Sequence, residues 1–154
     1  HYTQVLDLLF LQTGGRELAE QAVFELREKC RRAAWNSVSN RAAFTLKKAT
    51  LQLDFACSCR DYCRALNSWE LHSKTLDILR GIAHFEAEGF SGIPDSLTQV
   101  LQTGGANDNA FDFSGCGKVQ SMKLYKNRRV DIRFHTEEYA RRFVEEYLGT
   151  LPPC

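Results

Sequence analysis

Residues 118–135 constrain the fold more than any other stretch. Val119, Ser121, Lys123 and Tyr125 alternate with Gln120, Met122, Leu124 and Lys126. After Asn127-Arg128 the alternation resumes, with Val130, Ile132 and Phe134 set against Asp131 and Arg133. A period of two on both sides of a turn signal predicts a β-hairpin with strands over 118–126 and 129–135. Thr136 is placed to cap a final helix through Leu148, which Gly149 stops. Tyr139, Phe143, Val144 and Tyr147 give that helix an apolar face. Glu138–Arg142 and Arg141–Glu145 stand at i,i+4 on its polar side.

A second alternating run covers 49–59. Leu51, Leu53, Phe55, Cys57 and Cys59 fall on one side and Thr50, Gln52, Asp54 and Ser58 on the other, the pattern of a strand. Helices are expected over 3–11, where Val5, Leu6, Leu8, Leu9 and Leu11 cluster, and over 16–35. In the second, Leu18, Ala22, Leu26 and Cys30 form a stripe, and acidic residues precede basic ones as the helix dipole favours. Ser68 is positioned to cap a helix from Trp69 to Ala87, ended by Gly89 and Gly92. Pro94-Asp95 opens a short helix to about Leu101. The Gly-, Asn- and Asp-rich stretch 103–117 reads as a flexible loop. Gln-Thr-Gly-Gly occurs at 12–15 and again at 102–105, each copy reading as a helix stop. The architecture that follows is α+β: a small antiparallel sheet (a strand near 49–59 plus the hairpin 118–135) packed against three or four helices.

At 154 residues the chain is expected to form one domain. His1 at the start fits a processed terminus, a tag remnant or the C-terminal part of a longer protein. No apolar run approaches a membrane span, and no signal peptide is visible. Six cysteines, Cys30, Cys57, Cys59, Cys63, Cys116 and Cys154, could form a disulfide framework. A chain of this size buries an adequate core without staples, so reduced thiols and a cytoplasmic setting are expected.

The net charge of +1 hides a segregation. Residues 27–64 carry nine basic and three acidic side chains, and residues 118–133 carry six basic and one acidic. Residues 65–115 carry two basic and seven acidic. Both basic segments contain an expected strand. If these strands share a sheet, one face is positive, and lysines and arginines near Trp35, Tyr62 and Tyr125 can neutralise phosphates and stack on bases. The candidate nucleic-acid-binding residues are Lys123, Lys126, Arg128, Arg129 and Arg133, followed by Lys47 and Lys48. Two other readings stand beside this one: docking of an acidic protein partner, and cations that merely guard an edge strand.

Cys57-x-Cys59-x3-Cys63, with Cys116 between two glycines, is the one arrangement suggesting a zinc-stabilised module. Cys57 and Cys59 would lie about 7 Å apart along a strand, wide for ligands of one ion, and no Cys-x2-Cys pair is present. Buried structural cysteines are the simpler reading. His72, His84 and His135 are available on paper as bases for a cysteine nucleophile, but no local signature supports one. No nucleotide-binding, zinc-protease or serine-hydrolase motif occurs, and no cofactor is expected.

The run Leu124-Tyr125-Lys126-Asn127-Arg128-Arg129-Val130-Asp131-Ile132-Arg133-Phe134, followed by an amphipathic helix, resembles the C-terminal end of an uncharacterised domain family of plasmid, phage and genomic-island proteins. Members of that family are often fused to, or encoded near, adenine-specific DNA methyltransferase domains. Its pattern is aromatic-Lys-Asn-Gly, then an alternating strand ending in Phe. Arg128 stands where the family usually has Gly, and an L-residue there disfavours a turn that requires positive φ. The similar layout spans roughly residues 47–148. The resemblance implies a non-catalytic accessory or target-contacting module of a DNA-modification or mobile-element protein, with no catalytic residues to carry over.

Overall fold

The computed structural model describes residues 15–36, 41–63, 66–106 and 108–149. The expected helix over 3–11 lies outside them. The elements are α1 (Gly15–Ala34), β1 (Trp35–Asn36), β2 (Arg41–Ala42), β3 (Phe44–Lys47), β4 (Thr50–Leu53), β5 (Cys57–Cys63), β6 (Leu66–Leu71), α2 (Ser73–Ala87), α3 (Asp95–Thr103), β7 (Gly105–Ala106), β8 (Ala110–Asp112), β9 (Val119–Leu124), β10 (Val130–Phe134) and α4 (Glu137–Phe143), which runs into a π-helical turn (Val144–Leu148). The α+β class stands.

The hairpin forms as its alternation dictates. β9 and β10 pair with Ile132 opposite Met122 and Asp131 opposite Lys123, and β4 flanks β10 with Leu51 opposite Ile132. β3 and β8 complete an antiparallel five-stranded sheet in the order β3-β4-β10-β9-β8. Phe44, Leu51, Leu53, Met122, Leu124, Val130, Ile132 and Phe134 share its inner face and are buried. They meet Ile78, Ile82 and Phe85 of α2 and Ala140 and Phe143 of α4 in one core. Phe134, Phe143, Phe85 and Tyr147 interlock there with ring centroids 5.0–6.4 Å apart. α1 packs behind α2 and the π turn, so the helices lie on one side of the sheet.

Three expectations are corrected. The run 49–59 is not one strand. β4 ends at Leu53, Phe55 turns the chain with φ of 51°, and Cys57 opens β5 in a second sheet, ordered β5-β6-β7. The stretch beginning at Ser68 is not helical: Trp69 pairs with Cys59 within β6, and α2 starts only at Ser73. The N-cap of α2 is His72, whose side chain makes no capping bond. The stretch 103–117 is only partly loop, since it supplies β7 and β8. The second Gln-Thr-Gly-Gly does stop a helix. Gly104 takes φ of 63° and its N–H donates to Val100 O at 2.9 Å. Leu18, expected on a buried stripe, is 61% exposed, whereas Cys30 further along α1 is fully buried.

Candidate nucleic-acid interface

Period two in the strands and the observed register fix what the outer face of the five-stranded sheet presents. One row across the strands reads Thr45, Gln52, Asp131, Lys123, Ala110, and the next reads Lys47, Thr50, Arg133, Ser121, Asp112. All ten are exposed or partly exposed. Tyr125, Arg129 and Lys123 gather at one end of this face. The Arg129 guanidinium lies 4.4 Å from the Tyr125 ring centroid and the Lys123 Nζ 5.3 Å from it. Arg129 also pairs with Asp131, Nε to Oδ1 at 2.9 Å. The phenol and the carboxylate together hold the guanidinium firmly in its charged form.

The hairpin tip is built and held from below. Tyr125 N–H donates to Arg129 O at 2.9 Å and Arg128 N–H to Tyr125 O at 3.0 Å, closing a three-residue loop with Arg128 at φ of 73°. That is a turn ending in a left-handed residue, the geometry glycine favours. Arg128 adopts this geometry although an L-residue there is disfavoured, so contacts around the loop override the local preference. Asn127 Oδ1 accepts from Arg129 N at 3.1 Å. Ala56 N–H donates to Arg128 O at 2.7 Å. The buried Cys57 thiol is directed at Tyr125 O and Arg129 O, at 3.6 and 3.7 Å. A groove of about 480 Å³ opens beside the tip, lined by Lys123, Tyr125 and Lys126 on one side and Asp108 and Asn109 on the other.

The cations from the two basic segments meet only in part. Lys123, Arg129 and Arg133 share the outer face, and Lys47 joins the row of Arg133 two strands away. Lys126 and Arg128 sit at the β9–β10 turn and Lys48 at the β3–β4 turn, at opposite ends of the sheet. Strand rise over four residues separates those ends by roughly 13 Å. Among the described residues, none of Lys47, Lys48, Lys123, Lys126, Arg128 and Arg133 has a carboxylate within 4.0 Å. Lys118 is diverted: it is 14% exposed and bonds Glu88 and Phe85 O. The α1 cations Lys29, Arg31 and Arg32 stand with the helical layer, away from this face. Trp35 is committed to structure, its indole donating to Leu148 O at 3.1 Å, and the Tyr62 side chain lies outside the described residues.

The cysteines take structural places. Among the described residues no group of three His, Cys, Asp or Glu side chains could hold a metal ion. Cys57 docks at the β9–β10 turn, whereas Cys116 precedes the other end of β9, so these two zinc candidates cannot share an ion. Cys59 lies beside Cys57 on β5, and the Cys63 side chain is outside the described residues. Burial pushes the Cys57 and Cys116 thiols up and that of Cys30 up to about 12. His135 bonds the Cys116 carbonyl at 3.0 Å, not the sulfur, so no cysteine–histidine nucleophile forms there. No helix among the described residues is long and apolar enough to cross a membrane.

Sequence reasoning missed the support of the tip by Ala56 and Cys57, the exposed Phe55 beside it, and a second cluster around Arg27, His84 and Tyr147. Their only sequence signals are a break in alternation at Ala56 and a histidine on an apolar helix. No family model, no curated protein and no solved structure matches the chain.

Proposed function

We propose that this chain is a non-catalytic module that contacts the nucleic acid backbone through the outer face and hairpin tip of its five-stranded sheet. The observation that carries the reading is a sheet face, exposed or partly exposed at its described residues, whose Tyr125 is flanked by Lys123 and Arg129, with Arg133 and Lys47 in the adjoining row. Lys126, Arg128 and Lys48 extend the charge at its two ends. These groups neutralise phosphates and give affinity with little sequence readout. The likeness of the hairpin run to the methyltransferase-associated family supports an accessory role in a DNA-modification or mobile-element protein, with a fused or neighbouring methyltransferase domain as partner.

Fluorescence anisotropy with labelled duplex DNA tests the reading. Affinity is expected to fall steeply between about 50 and 200 mM salt. Replacing Lys123 and Arg133 by Ala should weaken binding equally for unrelated sequences and reduce the salt slope by about one for each phosphate no longer neutralised. No binding to DNA or RNA at low salt would end this reading. One competitor is an acidic protein partner, whose carboxylates can be spaced to avoid Asp112 and Asp131 on the same face, as the evenly charged phosphate backbone cannot. Capture of a protein from native extract that survives nuclease treatment, and is abolished by the same two substitutions, would select it.

A further inference from the structure

A second constellation lies on the helical side of the molecule. Arg27 of α1, Lys118 ahead of β9 and Arg142 of α4 converge on a cavity of about 250 Å³. The cations rest on aromatic rings. Arg27 Cζ lies 5.2 Å from the Tyr147 centroid, while Lys118 Nζ and Arg142 Cζ lie 4.8 and 5.8 Å from that of Phe85. The Arg27 side chain also donates a hydrogen bond to the Tyr147 hydroxyl. Three like charges around one small space repel. Two carboxylates answer part of that charge from the rim: Glu88, 79% exposed, pairs with Lys118 at 3.1 Å, and Glu146 reaches Arg142 at 4.0 Å. One positive charge remains.

The cavity also holds a directed polar pair. His84 Nδ1 and the Tyr147 hydroxyl are 2.6 Å apart. Tyr147 is carried by the π-helical turn Val144–Leu148, a widened turn of the kind concentrated at functional sites. Burial, and then the Arg27 charge, lower the affinity of His84 for a proton, so the imidazole is neutral at pH 7.

We propose that this cavity is a binding site for a small tetrahedral oxyanion, a phosphate group that pairs with the Arg27 guanidinium and is flanked by Lys118 and Arg142. The site is separate from the outer sheet face and does not depend on nucleic acid binding. A free phosphate and a phosphate monoester share this chemistry, and two probes separate them: inorganic phosphate and ribose 5-phosphate.

The test is titration of the full chain with each probe, followed by calorimetry and by the NMR signal of the Arg27 Nε–H. Saturable binding with a Kd on the order of 1 mM or tighter is expected, together with a downfield shift of that one signal. Arg142→Gln, at a half-exposed position, should weaken binding at least tenfold with the melting temperature unchanged. Arg27→Lys keeps the charge, removes the planar guanidinium donors and should weaken binding comparably. Lys29→Gln, an exposed α1 cation outside the cavity, should leave it unchanged. Tighter binding of ribose 5-phosphate assigns a phosphorylated metabolite, and equal or weaker binding assigns the free anion. No saturation by either probe at about 10 mM, or saturation that leaves the Arg27 signal in place, overturns the proposal.

Discussion

Arg128 carries a conformational cost and a charge at the same position. A left-handed φ disfavours an L-residue by about 1 kcal/mol, and Arg128 holds 73° at an exposed tip. Arg128→Gly should therefore raise stability by roughly 0.5–1 kcal/mol in urea melts, part of the relief being offset by the freer unfolded chain. Under the proposed function the same variant should bind nucleic acid more weakly, because it removes one of the cations at the tip. A loss of stability would show that Arg128 is not strained, and an unchanged affinity would show that it makes no phosphate contact. His84 gives a pH signature. Burial, aided by Arg27, depresses its folded pKa below the ordinary 6.5, so the unfolded chain takes up the proton first as pH falls. Stability from this group is complete above about pH 6.5 and declines below it as pH falls toward the folded pKa. Urea midpoints measured from pH 7.5 to 5 should drop more for the native chain than for His84→Gln.

Between elements, two contacts set the positions of the parts. α1 and α2 approach closely where Gly81 faces Cys30. A Cβ at Gly81 would stand 2.5 Å from the Cys30 sulfur, which itself donates to Asp77 O at 3.3 Å. Gly81→Ala should cost about 1–3 kcal/mol through overpacking, and Cys30→Ala in the same chain should recover much of that cost. Additive costs in this double-mutant cycle would refute the clash. The crossover from β4 to β5 is the second contact. Thr75, fully buried, donates to Ala56 O at 2.6 Å, and the neighbouring Ala56 N–H holds Arg128 O. Thr75→Val leaves that buried carbonyl with only the His72 N–H at 3.0 Å. The expected cost is about 1–2 kcal/mol. Faster amide exchange at Ala56, with no change at Ile132 in the sheet centre, would locate the damage at the crossover.

At the scale of the whole molecule, the cations are divided between two layers. The sheet's outer face collects Lys47, Lys123, Arg129 and Arg133, and the helical layer collects Lys29, Arg31 and Arg32 on α1. Replacing Arg31 and Arg32 by Gln should leave duplex DNA affinity within about twofold at fixed salt. Replacing Lys123 and Arg133 removes the same formal charge and should lower affinity at least tenfold, as expected when two phosphates are no longer neutralised. Equal weakening by both pairs would mean that net charge alone drives binding and that no face is selected.

The hairpin, the Thr136 cap and the α4 start were legible because each is written in adjacent residues. Alternation aligns with the pleat, and the Thr136 hydroxyl accepts from Tyr139 N only three residues on. The sequence by itself therefore determined the α+β class, the central strands and the basic character of the hairpin. Only the tertiary structure decided where 49–59 breaks and that Trp69 lies in a strand. The pairing of Cys59 with Trp69 and the docking of Ala56 on Arg128 join residues whose proximity no local period encodes. It also decided which cations share a face: Glu88 captures Lys118, α1 carries its arginines behind the core, and Arg27 meets Tyr147. Local pattern sets which side of a strand or helix a residue occupies, while the long-range register of strands and the stacking of layers set which of those sides meet.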